Sequence, residues 1–231
     1  MNDKKIALVT GANRGLGLES CKELAKLGIH VILSSRDANK GKKQVEELAK
    51  QGIVVDYVQL NTDDEESIQQ AIEEIKKKYG RIDILINNAA ILLDATEKTD
   101  KKILSKTFET NVIGPYLLIE AVLPMMCEHK YGRIVNVSSQ AGQLAHMGTE
   151  YPAYRISKVA LNAVTAIFAA RVRGEDILIN SVCPGWVKTD MGGPNAPRDV
   201  EEGVETIVWA ATLPHHGATG CFFYDKNKIM W

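Results

Sequence analysis

The sequence predicts an α/β fold in which helices cover both faces of a parallel β-sheet. Short apolar runs alternate with helix-length segments along the chain, the pattern typical of this class. The run 82–86 is apolar apart from Asp83, which suits a strand buried on both faces. Glycines cluster between the first strand and the first helix. No linker or change in composition interrupts the 231 residues, so we expect a single domain, 1–231.

The first part of the chain contains four predicted strands and three predicted helices. The strands cover residues 6–10, 30–35, 54–60 and 82–86. The helices cover residues 15–27, 39–50 and 62–78. Gly28 and Gly52 suit the ends of the first two helices, since glycine readily adopts the left-handed conformation found there. The third helix is predicted to begin at the capping box Thr62-Asp-Asp-Glu65.

The second part continues the alternation of helices and strands. A long helix is predicted from about 100 to 123, with a break near Gly114–Pro115. Two further helices are predicted at 152–173 and 200–212. The remaining strands cover 133–137, 177–182 and 221–224, and the last of these is predicted to be the final strand. In such a sheet, ligands bind at the carboxyl ends of the strands.

The composition excludes several classes of protein. The net charge of −1 gives no basic bias of the kind that nucleic-acid binding requires. No stretch is predicted to be long and apolar enough to cross a membrane, and the first apolar run ends at Gly11, too early for a signal peptide. We therefore expect a cytoplasmic protein with no membrane partner. The four cysteines form no C-x-x-C pair, so we expect reduced thiols. The histidine pair His215–His216 suits an exposed loop, so no metal site is expected.

A glycine-rich turn, Thr10-Gly-Ala-Asn-Arg-Gly-Leu-Gly17, follows the first predicted strand directly. Glycines at this place allow a tight turn and close approach of the backbone to a phosphate. The helix that follows presents free N–H groups and the positive end of its dipole. The turn therefore predicts a dinucleotide site.

Tyr154 and Lys158 stand four residues apart in a predicted helix, so both lie on the same face. A free tyrosine has a pKa of about 10, and a neighbouring positive charge lowers it. A phenol tuned in this way can exchange a proton with a carbonyl or alcohol oxygen. Tyr151 and Arg155 form a competing pair with the same spacing.

The glycine turn, Asn87-Asn-Ala-Ala90, Asn111, Ser139, Tyr154-x-x-x-Lys158 and Pro184–Gly185 occur together in one order. In this the chain resembles the short-chain dehydrogenase/reductase family over essentially its whole length. The turn Gly-Ala-Asn-Arg-Gly, the segment Ser-Ser-Arg-Asp and the C-terminal Tyr-Asp-Lys-Asn-Lys-Ile-Met-Trp are most similar to the carbonyl reductases. The resemblance implies a Rossmann-type doubly wound sheet.

The resemblance also implies a catalytic group. Tyr154 would be the general acid in reduction and the general base in oxidation. Lys158 would lower the pKa of Tyr154 and hold the nicotinamide ribose. Ser139 would orient the substrate carbonyl, with Ser138 as the alternative, and the backbone carbonyl of Asn111 would hold a water in a proton relay.

The end of the second strand favours NADP(H) over NAD(H). Ser35 stands where NAD-dependent relatives carry an acidic residue, and Arg36 and Arg14 can grip a 2′-phosphate. Asp37 is expected to cap the next helix, and Asn61 replaces the aspartate usual near adenine. The predicted cofactor-binding residues are Gly11, Asn13, Arg14, Gly15, Leu16, Gly17, Ser35, Arg36, Leu60, Asn61, Asn88, Ala89, Tyr154, Lys158, Pro184, Gly185, Val187 and Thr189.

The segment 189–199 is too short for the lid helices common in the family, so an open substrate pocket is expected. Its predicted walls include Ser139, Gln140, Tyr151 and Trp186, which suit ketones, aldehydes or quinones with apolar bodies. An alcohol dehydrogenase working towards oxidation and a non-catalytic nucleotide sensor are the alternatives. The stretch 142–151 lacks the insertion of monomeric carbonyl reductases, which favours a homodimer or homotetramer.

Overall fold

The computed structural model describes residues 4–231 and contains a central eight-stranded sheet with helices on both faces. The strands are β1 Ile6–Val9, β2 His30–Ser35, β3 Asp56–Gln59, β4 Ile84–Asn87, β5 Gly132–Val137, β6 Ile177–Cys183, β7 Phe222–Tyr224 and β8 Asn227–Ile229. The helices are α1 Gly15–Lys26, α2 Ala38–Lys50, α3 Glu65–Tyr79, α4 Lys101–Phe108, α5 Gly114–Glu128, α6 Pro152–Arg171 and α7 Val200–Ala211.

The strand order is β3-β2-β1-β4-β5-β6-β7-β8, and all neighbouring pairs are parallel except β7 with β8. The order reverses between β1 and β4, which is where a doubly wound sheet opens a crevice for a ligand. This architecture confirms the predicted Rossmann-type fold. The prediction of a final strand at 221–224 was wrong, because the chain turns at Asp225 and Lys226 and adds the antiparallel β8.

Two apolar clusters hold the layers together, one on each face of the sheet. On one face the buried side chains of α3, α5 and α6, including Ile75, Leu118 and Phe168, pack on the strands. On the other face α1, α2 and α7 contribute Leu24, Leu48 and Ile207, among others. Since every strand belongs to the same sheet, these layers support the proposal of one domain.

Two of the predicted helices differ from the structure by more than two residues at a boundary. The residue that caps α3 is Asp64, whose carboxylate accepts N–H bonds from Glu66 and Ser67, so the capping box predicted at Thr62 was wrong. The long helix predicted after residue 100 breaks earlier than expected. A π-helical turn, Glu109–Ile113, joins α4 to α5, and α5 continues through Pro124 to Glu128.

The segment Lys101–Glu128 has the length and apolar character of a membrane span, with a mean hydropathy of 1.4 over its most apolar window. The sequence-based statement that no stretch meets these criteria was therefore wrong. A little over half of that window, 56%, is buried inside the fold. Its apolar residues are accounted for by the packing of α5 between α3, α6 and the sheet.

A buried ion pair lies at the amino end of β5. Arg133 is fully buried, and its guanidinium donates to the Asp176 carboxylate at 3.0 Å and to the carbonyls of Leu213, Gly132 and Asp176. Tyr131 lies 4.2 Å from the guanidinium carbon, measured to the ring centroid. The exposed His215 side chain contacts the other Asp176 oxygen at 2.6 Å. These contacts balance a charge that would otherwise be costly to bury.

Candidate active site

The predicted catalytic residues come together at the carboxyl end of the sheet. Ser139 follows β5, and Tyr154 and Lys158 lie in the first two turns of α6. The Lys158 ammonium lies 5.5 Å from the centroid of the Tyr154 ring and donates to the Val137 carbonyl at 2.8 Å. This bond fixes the buried lysine against the end of β5.

The structure separates the two candidate serines. Ser139 is partly buried, and its hydroxyl offsets part of the rise that burial causes in the pKa of the Tyr154 phenol. Ser138 is buried, and its hydroxyl has no hydrogen-bond partner among residues 4–231. Consecutive residues of an extended chain point to opposite sides, so only one of them faces the phenol.

The competing pair does not form. Arg155 donates from Nε to the Glu150 carbonyl at 2.7 Å and also approaches the Glu150 carboxylate. Tyr151 stands at the start of α6 with its side chain 42% exposed. Of the two candidate tyrosines, Tyr154 is therefore the one that the structure places with a hydroxyl and an ammonium.

Burial controls the titration of the catalytic pair. It raises the pKa of Tyr154 to about 12, because the phenolate is poorly solvated there, while the Ser139 hydroxyl opposes this shift. Burial also lowers the pKa of Lys158 to about 8, since the ammonium loses water. The lowered pKa expected for Tyr154 beside Lys158 is wrong as a net direction, because burial dominates and the ammonium donates to the Val137 carbonyl.

Asn111 lies in the π-helical turn, with its side chain buried. Its amide nitrogen donates to the Ile91 carbonyl and to Ser157 Oγ, both at 3.0 Å, and its amide oxygen accepts the Ile91 N–H at 2.9 Å. The side chain thus joins the loop after β4 to α6. Turns of this kind occur frequently at functional sites, and they displace the helical backbone locally.

The glycine turn is packed too tightly for side chains. A Cβ on Gly17 would lie 2.5 Å from the Asn88 amide nitrogen, and one on Gly11 would lie 2.9 Å from Ala89 Cα. Gly11 and Gly15 also have positive φ angles. The Arg14 side chain does not cap α1 within the described chain, so its first N–H groups are available to an anion. Gly15 faces the methyl of Thr189, which brings the segment after β6 against the turn. This geometry fits a dinucleotide phosphate.

Thr10, which the sequence analysis did not single out as a site residue, holds this turn together. Its hydroxyl accepts the N–H groups of Asn88 and Ala89, each at 3.0 Å. The Asn88 amide in turn donates to the carbonyls of Thr10 and Gly11. A single hydroxyl at the end of an otherwise apolar strand was the sequence feature from which this role could have been predicted.

The region predicted to bind the 2′-phosphate contains two exposed arginines, of which one is paired. Arg36 is exposed and has no ion-pair partner among residues 4–231, whereas Arg14 pairs with Asp190 across the crevice. Ser35 is buried and donates to the Asp37 carbonyl at 2.8 Å. The Asp37 carboxylate accepts the N–H groups of Asn39 and Lys40, as expected of a helix cap.

The remaining predicted cofactor residues surround the same crevice. Asn13 and Leu16 belong to the glycine turn and α1, and Leu60 and Asn61 follow β3. Val187 is buried, and it and Leu16 both approach Gly203 at the start of α7. Pro184 and Gly185 follow β6 directly.

Cys183 was not identified from the sequence as a site residue, although it immediately precedes Pro184. Its buried sulfur accepts the N–H groups of Gln140 and Gly185, both at 3.3 Å. It therefore ties the segment that carries Ser139 to the turn after β6.

The predicted substrate wall is open to solvent. Gln140 is exposed, and Trp186 is 57% exposed, with its indole N–H donating to the Gly192 carbonyl at 2.7 Å. No helix forms between residues 184 and 199, as the length of that segment predicts.

The model of the family described as "short chain dehydrogenase" matches residues 5–199. Carbonyl reductase [NADPH] 1 of Sus scrofa is 31% identical over 277 positions, which cover all of this chain and 95% of the pig protein. The (+)-neomenthol dehydrogenase of Arabidopsis thaliana is 34% identical, with 96% of this chain and 97% of that protein covered.

Among solved structures, NADPH-bound carbonyl reductase from chicken fatty liver matches with a TM-score of 0.88 and 30% identity, covering 99% of both chains. The family match, the relatives and this structural likeness agree with the geometry of the glycine turn and of Tyr154. The chain belongs to the short-chain dehydrogenase family.

Proposed function

We propose that this oxidoreductase uses NADPH to reduce the carbonyl group of a ketone, aldehyde or quinone, with Tyr154 as proton donor. The observation that carries the proposal is the grouping of the Tyr154 phenol, the Ser139 hydroxyl and the Lys158 ammonium at the same carboxyl edge of the sheet as the glycine turn. Several similar proteins are carbonyl reductases named for NADPH, which supports the cofactor. When bound, NADPH supplies the hydride.

In this mechanism the chain's own residues handle the proton. Ser139 donates a hydrogen bond to the substrate oxygen and aligns the carbonyl. Tyr154 gives its proton to that oxygen as negative charge develops there. The nearby Lys158 ammonium stabilises the phenolate that remains. Because burial raises its pKa to about 12, the phenol is protonated near neutrality, which is the state from which it can donate.

Reductase activity can be tested by following the loss of reduced-nicotinamide absorbance with assorted ketones, aldehydes and quinones. Turnover with NADPH and at least one of these carbonyl compounds supports the proposal. Tight NADPH binding without turnover across the panel would instead favour a nucleotide sensor. The exposed apolar side chains Leu144, Met147, Tyr151, Trp186 and Met191 favour substrates with apolar bodies.

Replacement of Arg36 should reveal the cofactor preference. Arg36→Ala is expected to raise the Kd of NADPH about tenfold or more, because a charged hydrogen bond contributes roughly 1.5–3 kcal/mol. The Kd of NADH should change little. Fluorescence titration measures both constants, with Arg173→Ala as an exposed control beyond the C-terminal end of α6. An equal loss for the two cofactors would contradict a 2′-phosphate contact.

The pH dependence should follow Lys158. With a pKa of about 8, its ammonium is present below that pH and is lost above it, while Tyr154 stays protonated. We therefore expect kcat/KM for reduction to fall as the pH rises through about 8, since this parameter reports the free enzyme. In Lys158→Arg, whose side chain stays charged, this alkaline fall should disappear. A kcat/KM that rises through this range would exclude the assignment.

We also propose that the protein pairs through α5 and α6. A stripe of α6 leaves Ile156, Ala163 and Ile167 exposed, and Ile113 and Tyr116 are exposed at the start of α5. Apolar surface of this kind is suited to a homodimer or homotetramer.

A cytoplasmic location stays a prediction.

A further inference from the structure

Helix α6, which carries Tyr154 and Lys158, begins in an unusual way. Its N-cap residue is Tyr151, which has a φ of +53° and whose side chain makes no capping bond within residues 4–231. Pro152 follows and has no N–H. The first N–H of the helix is therefore that of Ala153, a residue that is fully buried. A buried N–H without a partner would be costly.

A carboxylate from another part of the chain supplies the partner. Asp94, in the loop between β4 and α4, accepts the Ala153 N–H at Oδ2, at a distance of 2.7 Å. The Thr99 hydroxyl donates to the same oxygen at 3.3 Å. The other oxygen, Oδ1, is buried and has no partner among residues 4–231. Asp94 thus caps α6 from outside, and its negative charge suits the positive end of the helix dipole.

We propose that Asp94 is a positioning residue for Tyr154, acting through the Ala153 amide; this inference rests on the proposed role of Tyr154 as proton donor. Tyr154 directly follows Ala153, and the first hydrogen bond inside this turn runs from Arg155 N–H to the Tyr151 carbonyl at 2.9 Å. Asp94 therefore fixes the backbone from which the phenol extends. A displacement of about 1 Å at a reacting group can reduce a rate roughly a hundredfold.

Asp100 offers a matched comparison. It caps α4 by accepting the Ile103 N–H at 2.8 Å, so its loss removes the same kind of bond from a helix whose first turn carries no proposed catalytic residue. Asp94→Ala and Asp100→Ala should lower Tm by similar amounts. Only Asp94→Ala is expected to lower kcat, by about tenfold, with the Kd of NADPH unchanged because the glycine turn is intact.

Asp94→Asn provides the rescue test. Its amide oxygen can still accept the Ala153 N–H, and its amide nitrogen can occupy the place of the unpartnered Oδ1. We expect this variant to recover a kcat within about threefold of the wild type, since only the charge assistance to the hydrogen bond is lost. Hydrogen exchange of the peptide covering residues 152–158 should be faster in Asp94→Ala and near normal in Asp94→Asn.

Two results would overturn the inference while the wild type remains an active reductase. One is an unchanged kcat in Asp94→Ala together with the same fall in Tm as in Asp100→Ala. The other is an Asp94→Asn variant as impaired as Asp94→Ala. If Asp94→Ala does not fold, Asp94→Ser can replace it. The shorter serine side chain does not reach the Ala153 N–H, so the same loss of kcat is expected. Failure of the proposed function would appear separately, as a wild type without reductase activity.

Discussion

Replacing Tyr154 with phenylalanine is expected to lower kcat for carbonyl reduction by about a thousandfold, within the range attributed to general acid catalysis. The substitution removes the hydroxyl and preserves the ring, so the packing beside Ser139 and Lys158 should persist. The Kd of NADPH should be nearly unchanged, because the glycine turn and Arg36 are distant in sequence and unaltered. Steady-state kinetics and fluorescence titration measure the two quantities.

Tyr151→Phe serves as the comparison for this variant. Tyr151 is exposed, and Arg155 is occupied by Glu150, so loss of the Tyr151 hydroxyl should alter kcat far less. Comparable losses in the two variants, or substantial reductase activity in Tyr154→Phe, would show that the proton comes from another group.

The largest expected effect on stability concerns Arg133. Arg133→Met removes a fully buried guanidinium together with its bonds to the Asp176 carboxylate and to three carbonyls. Breaking a buried pair in this way should lower the free energy of unfolding by about 3–5 kcal/mol. Urea denaturation followed by circular dichroism measures the change.

The exposed pair Arg171–Glu120 provides the control for Arg133. Arg171→Met breaks an ion pair of similar length, 2.7 Å, but with its arginine side chain 55% exposed. Its expected cost is about 0–1 kcal/mol. Equal destabilisation by the two substitutions would mean that burial of the Arg133 pair has no special importance for stability.

Hydrophobic periodicity and glycine positions predicted most helices and strands, because these elements depend largely on the local sequence. Strand β8 was missed because Asp225 and Lys226 form its turn with positive φ angles and no glycine marks them. The π-helical turn at Glu109–Ile113 was missed because its sequence continues the pattern of the flanking helices.

The site residues that belong to sequence motifs could be predicted from the sequence. The titration of Tyr154 could not, because its pKa depends on burial that only the folded chain defines. Contacts between residues far apart in the sequence could not be predicted either. Asp94 and Ala153 are 59 residues apart, and Arg14 and Asp190 are 176 apart, with no shared local pattern.

The position of the Arg133–Asp176 pair has a consequence for how this protein can evolve. Arg133 is the second residue of β5 and Ser139 follows the end of the strand, so the two are six positions apart along a largely extended chain, roughly 20 Å. Substitutions at well-separated sites usually add independently. Substitutions around Trp186 can therefore change which substrates are accepted. The Arg133–Asp176 pair, at the other end of β5, still contributes the stability that such substitutions reduce.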